Sequence, residues 1–367
     1  MSNTFSPRKL SARTDPVLLT QEICDIESVS GNEKTLADNI QALLETAAHL
    51  KVVRDGDTIV ARTELGRDQR IIIAGHIDTV PLNNNLPTRF ETDATGRKML
   101  WGRGTVDMKA GVGVQLVLAL ELTEPAFDIT WVWYDHEEVS SDLNGLGRTL
   151  RNNPELFTGD LAILGEPTNG TIEGGCNGTL RAEVIFTGKR AHSARAWRGV
   201  NAIHKAAAAL TKLEAFEAAA VEVDGLVYRE GLSAVRINGG VAGNVIPDLV
   251  TVEVNYRFAP NKSAEDAAAF VTDFFADTAA DEVKIVDLAS GARPGLDAAL
   301  AQALVAAVGE EPQAKVGWTD VARFSDMGIP AINFGPGDPL LAHADAEAVP
   351  VQQITDCYDS LRKFLLG

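Results

Sequence analysis

The sequence predicts an α/β fold with a second, α+β domain inserted into it, and three observations carry that prediction. Before residue 178, short apolar runs rich in β-branched residues (Ile71-Ile72-Ile73-Ala74, Ile129 to Tyr134, Leu161 to Leu164) alternate with helical stretches, the order of a sheet covered by helices. From Leu180 to Phe258 the strands instead alternate apolar and polar residues, as a sheet with one solvated face does. After Pro294 helix and short apolar strand alternate again. The expected bounds are 1–178 and 293–367 for the larger domain and 179–292 for the insertion.

A length of 367 residues suits two domains. The formal charge of −18 works against nucleic acid or an anionic membrane surface as partner. Three cysteines, Cys24, Cys176 and Cys357, have no CxxC spacing and read as reduced thiols rather than metal ligands. No apolar run reaches spanning length and no signal-peptide core is evident at the N-terminus, so the expected address is cytoplasmic.

Ser2 to Thr14 is weakly patterned and reads as a loose arm. Asp15-Pro16 offers a cap and a first-turn proline for a helix with Val17, Leu18, Ile23 and Ile26 on its stripe. Leu36, Ile40, Leu43 and Leu44 mark a second helix. Val52 to Thr63 reads as a hairpin turned at Asp55-Gly56-Asp57, followed by the Ile71 strand. Ala110 to Leu122 is small and apolar nearly all round, which predicts a helix buried against a sheet. In the insertion, Leu180 to Thr187, a helix from Asn201 to Glu217, Ala234 to Ile237 and Val250 to Phe258 give a β-α-β-β order, closed by a helix from Ser263 to Thr278.

Candidate ligands follow the ends of these strands: His76 and Asp78, then Glu137-Glu138, then Glu166, with His343 a short way beyond the Ala331-Phe334 run and Asp107 at the start of the buried helix. Carboxyl ends of strands are where ligands bind in open α/β sheets. Taken singly, each residue reads better as a core imidazole, a solvated turn, a loop cap or a surface residue than as part of a site. Their common placement favours a site. Nitrogen and oxygen donors without sulphur suit zinc, manganese or cobalt. In extended backbone Glu137 and Glu138 point opposite ways, so one is expected to bind metal and the other to face substrate as general base.

Five ordered motifs carry a resemblance: Gly75-His76-Ile77-Asp78-Thr79-Val80-Pro81, Gly104-Thr105-Val106-Asp107-Met108-Lys109-Ala110-Gly111, Glu137-Glu138, Gly165-Glu166-Pro167-Thr168 and His343. Together they resemble the dinuclear zinc aminoacylase/carboxypeptidase family over nearly the whole chain. The resemblance implies a three-layer zinc-peptidase-like catalytic domain with a ferredoxin-like lid that forms a homodimer. It implies two zinc ions per subunit, replaceable by cobalt or manganese, and hydrolysis of a small N-acyl amino acid. It implies that His76, Asp107 and Glu166 hold one ion, that Asp107, Glu138 and His343 hold the other, and that Glu137 is the general base. By the same resemblance Asp78 orients His76 through its far nitrogen, and the peptide bond after Asp107 is cis. His192, given across the dimer interface, steadies the oxyanion, Asn244 binds substrate near it, and Arg257 pairs with a substrate carboxylate, with Arg181 and Arg195 as further partners. Where the family often has proline shortly after this histidine, the chain has Ala196. His49, His136 and His204 read as structural, and Thr319-Asp320 receives no role.

Overall fold

The computed structural model describes residues 10, 11 and 14–367. The expected N-terminal arm therefore lies outside the described residues except for Leu10, Ser11 and Thr14. Two compact units are present. One takes the chain up to Gly174, with Gly295–Gln313 and Arg323–Gly367; the other takes Gly175–Pro294 and Ala314–Ala322. Placing 314–322 with the second unit differs from the sequence-based bounds. Nothing in its composition marks a chain that has already resumed the first unit and leaves it again.

In the first unit the helix Pro16–Cys24 starts as its residues dictate. Asp15 accepts from the Val17 and Leu18 amides at 2.9 and 3.3 Å, and proline fills the first turn. The hairpin Lys51–Asp55 and Thr58–Arg62 turns through Gly56, whose φ of +61° favours glycine. A mixed sheet runs Lys51–Asp55, Thr58–Arg62, Asp128–Tyr134, Arg70–His76, Leu161–Leu164, Ala331–Phe334, Ile172–Gly174. Its four middle strands are mutually parallel, so their carboxyl ends share one edge. Arg70–His76 is buried along almost its whole length, and Asp128–Tyr134 along all of it, as expected of strands covered on both faces.

The helix Lys109–Glu121 is buried from Lys109 to Ala119. Its first turn lies against the loop after Leu161–Leu164: a Cβ on Gly111 would sit 2.1 Å from the Gly165 carbonyl oxygen. Backbone cannot give way as a side chain does. We expect Gly111→Ala to cost about 2 kcal/mol of stability and to lower Tm by several degrees in a thermal melt; an unchanged Tm would show that the helix can shift freely.

A separate three-stranded sheet joins Arg89–Thr92, Lys98–Trp101 and Ala348–Pro350. Trp101 pairs with Ala348, which ties the chain just before Asp107 to the chain just after His343.

The second unit has a four-stranded antiparallel sheet in the order Gly231–Gly239, Leu249–Phe258, Gly178–Thr187, Glu282–Ala289. The helices Ala202–Glu214 and Ala264–Phe275 pack on its apolar face through Ala206, Ala209, Val271 and Phe275. The strand Glu282–Ala289 completes a β-α-β-β-α-β order and was not among the sequence-predicted strands. Its first residues, Glu282-Val283-Lys284-Ile285, alternate polar and apolar as the other strands of this unit do. Ser263 and Asp266 form the capping box of the last helix.

Candidate metal centre

His76 ends its strand at the carboxyl edge and is fully buried. Its Nε2 lies 3.0 Å from Asp107 Oδ1. His343 Nε2 lies 3.3 Å from Asp107 Oδ2 and 3.0 Å from Glu138. Three groups of possible ligands result, each with one atom per residue within 4.8 Å of the others: His76, Asp107 and Glu166; His76, Glu137 and Glu138; Asp107, Glu138 and His343. Asp107 belongs to two of them. The first comes from three loops at the sheet edge, and the third draws in a histidine 236 residues further along the chain than Asp107.

The electrostatics fit a place for cations. Burial works against a charged His76 ring, but the Asp107 and Asp78 carboxylates outweigh it and lift its pKa well above the ordinary value. Asp107 and Glu138 push His343 up to about 10. Desolvation alone would raise Asp107; the His343 and His76 rings outweigh it and hold the carboxyl well below the usual range. All three cysteines are buried free thiols, and Cys24, Cys176 and Cys357 are each raised by burial, so none offers a thiolate.

Two details differ from the sequence reading. Glu137 and Glu138 do not extend a strand: His136, at φ +58°, bends the chain after Tyr134. Both carboxylates therefore reach atoms near His76 instead of diverging. Asp78 also meets His76 in an unexpected way. Its backbone carbonyl is the nearer partner of Nδ1, at 3.1 Å, and its carboxylate stands 3.5 Å away. That buried carboxylate instead accepts the Glu137 amide at 3.0 Å, the Glu138 amide at 3.1 Å and the Ser30 hydroxyl at 2.6 Å. It holds the Glu137-Glu138 loop as much as the ring. The Asp107–Met108 peptide bond is cis, as the resemblance implied.

The left-handed His136 is itself anchored. Its Nδ1 lies 2.7 Å from Asp135, whose carboxylate also takes Arg148 and Thr58, and its amide donates to buried Glu33 at 3.2 Å. Spacing gives no sign of Glu33, nor of Glu347, which accepts from the Asp107 amide. His49 bonds to the Ala119 carbonyl, away from the site.

In the second unit, His192 and Asn244 are neighbours. His192 pairs with Val245 across a short antiparallel bridge, and the Ser193 amide donates to the Asn244 carbonyl at 2.9 Å. His192 Nδ1 accepts the Ala194 amide at 3.1 Å, so the neutral ring carries its proton on Nε2 as a donor. Arg181 and Arg257 share one face of the sheet with Asn255. Arg257 donates to Asn255 at 3.0 Å, and Arg181 lies 3.3 Å from Asp287. Arg195 is exposed in the turn after His192. Thr319 and Asp320 are buried in this unit.

Among the described residues no helix is long and apolar enough to cross a membrane. Residues 72–367 match the model of peptidase family M20/M25/M40. The chain is 47% identical to succinyl-diaminopimelate desuccinylase of Corynebacterium glutamicum, over 96% of each chain. It is 51% identical to a Mycobacterium tuberculosis protein provisionally given the same name and called DapE, over 98% of this chain and all of that one. Among solved structures, a Staphylococcus aureus tripeptidase superposes with a TM-score of 0.76 at 20% identity, covering 96% of this chain and 98% of that one. A Bacillus subtilis protein described as a dinuclear metal-binding peptidase gives 0.67 at 16% identity, covering 96% and 97%.

Proposed function

The chain belongs to peptidase family M20/M25/M40, and we propose that within it this protein hydrolyses N-succinyl-L,L-2,6-diaminopimelate to succinate and L,L-2,6-diaminopimelate. One observation carries the reading: identity of 47% and 51% over nearly full length to proteins named for that activity, with two overlapping ligand groups intact around Asp107. His76, Asp107 and Glu166 would hold one cation and Asp107, Glu138 and His343 the other, with zinc the best match to a donor set of imidazole and carboxylate. Cations held there would supply Lewis acidity toward a water and the scissile carbonyl. Glu137, which lies with His76 and Glu138, is the residue placed to take a proton from the attacking water and pass it to the leaving amine.

Asp78 positions Glu137, Glu138 and His76. An Asp78→Asn change turns one acceptor into a donor facing one of the two glutamate amides, and we expect it to cost about tenfold to a hundredfold in metal affinity or activity. Retention of both would reduce Asp78 to a filler.

The second unit supplies the lid and the dimer contact in this reading. Support comes from its edge strand Gly231–Gly239, paired on one side only, with Val235 and Ile237 at least half exposed. An apolar unpaired edge is a pairing surface. His192, a donor at Nε2, would steady the oxyanion from the partner subunit with Asn244 beside it. Arg257 would bind a substrate carboxylate in its guanidinium fork. Arg195 remains a further candidate; Arg181 is the weakest, because it is already engaged with Asp287. Cytoplasmic action on a small substrate completes the reading.

The test is steady-state hydrolysis by zinc-loaded protein of N-succinyl-L,L-diaminopimelate against N-acetylornithine. A strong preference for the succinyl compound is expected. Preference for acetylornithine would make the protein an acetylornithine deacetylase and overturn the substrate assignment.

A further inference from the structure

Two carboxylates follow His343 in sequence, Asp345 and Glu347, and they have opposite surroundings. Asp345 is exposed, whereas Glu347 is 1% exposed and wholly enclosed by the chain around Asp107. Glu347 Oε1 accepts two successive backbone amides, Val106 at 2.9 Å and Asp107 at 3.2 Å. Its Oε2 takes the Arg103 Nη1 at 2.8 Å, from a guanidinium that is itself buried. Its backbone carbonyl accepts the Gly102 amide at 3.0 Å, and the next residue, Ala348, pairs with Trp101. Thus every polar group of Glu347 named here binds the 101–107 segment, 240 residues away in the chain.

That arrangement has a consequence for the cation position built from Asp107, Glu138 and His343. Two of its three ligands sit on segments far apart in the chain, joined by the Trp101–Ala348 pairing, by Arg103 Nη1 donating to the Ala344 carbonyl at 3.4 Å, and by Glu347. Asp107 precedes its helix in an irregular turn, and His343 stands at φ +66° in a loop. Charge-assisted bonds to backbone amides are short and directional, and a buried carboxylate that loses its partners is strongly disfavoured. We propose that Glu347 is a positioning residue that fixes the Asp107 loop against the His343 loop, and so sets the geometry of this second cation position. It rests on the dinuclear reading given above. Glu347 acts by holding the His343 loop against the Asp107 loop, and because His343 belongs only to the group with Asp107 and Glu138, the ion at His76, Asp107 and Glu166 is affected less.

The test uses the full chain stripped of metal and titrated with cobalt(II), by calorimetry and by visible absorption. Wild type should take up two ions. Glu347→Gln keeps the shape but turns one oxygen into a donor that must face either two amides or a guanidinium. Glu347→Asp keeps the charge and shortens the reach. Both should weaken the ion at Asp107, Glu138 and His343 about tenfold to a hundredfold, change its absorption band and leave the other ion nearer wild type. Glu347→Gln, which leaves buried Arg103 without its carboxylate, should also lower the metal-free Tm, and Glu347→Asp, which keeps the charge, should lower it less. In saturating metal, kcat should recover while KM stays unchanged. Both affinities unchanged in either folded variant would overturn the proposal. So would a parallel loss of both ions with a lowered metal-free Tm, which is general destabilisation. If Glu347→Gln does not fold, Glu347→Asp decides by the same criteria. A wild-type chain that binds fewer than two ions would instead be a failure of the dinuclear reading.

Discussion

Glu137→Gln should leave two ions bound and lower kcat by roughly three orders of magnitude, the range expected when a positioned general base is lost. The amide has nearly the volume of the carboxylate, so the bend at His136 and the hydrogen bond from the Glu137 backbone N–H to the Asp78 carboxylate need not change. What it cannot do is accept a proton from water at neutral pH. KM should move little, because the change removes an interaction made on the way to the transition state. Metal analysis and steady-state kinetics on one preparation check this. Substantial turnover with both ions present would remove Glu137 from its role and point to another base. Loss of one ion would show that Glu137 itself ligates, which its place in the group with His76 and Glu138 makes worth measuring.

Asp107→Ala should cost both cation positions at once, because Asp107 is the residue common to the His76–Glu166 and Glu138–His343 groups. A four-ligand zinc site contributes on the order of 10 to 16 kcal/mol, so one lost ligand costs about 3 kcal/mol, or roughly a hundredfold in Kd for each ion. At metal concentrations that just saturate wild type, the variant should hold less than one ion and show no measurable hydrolysis. His343→Ala, by contrast, should keep one ion near His76. Equal loss in the two variants would mean that the positions are not independent, and full occupancy in Asp107→Ala would show that it does not bridge.

The helix after Asp15-Pro16, the hairpin at Gly56, the buried strands and the apolar helix after Asp107 were all legible in the sequence. In each, the determining interactions lie within a few residues: a cap, a turn glycine or an apolar period. The residues that gather at the sheet edge were legible for a related reason. Parallel strands deliver whatever follows them to one edge, so His76, Glu137, Glu138 and Glu166 needed only their order. Their assignment to particular roles came from motif resemblance, since spacing alone leaves a core imidazole and a ligand alike.

Other features were decided only by tertiary structure. The divergence expected of Glu137 and Glu138 assumed extended backbone, and a left-handed His136, held by its neighbour Asp135 and by Glu33 from a distant segment, replaced it with a bend. The strand Glu282–Ala289 takes its place by pairing along Gly178–Thr187, a partner about a hundred residues earlier that its own pattern does not name. Ala314–Ala322 joins the second unit through contacts that its composition does not announce. Glu347 and Asp345 are indistinguishable as letters two positions apart, yet one is buried against the Asp107 amide and the other lies in solvent. Local sequence determined which elements form and which donors stand at their ends. Contacts across hundreds of residues determined how far apart those donors are held, because hydrogen bonds and burial depend on neighbours in space that no local pattern records.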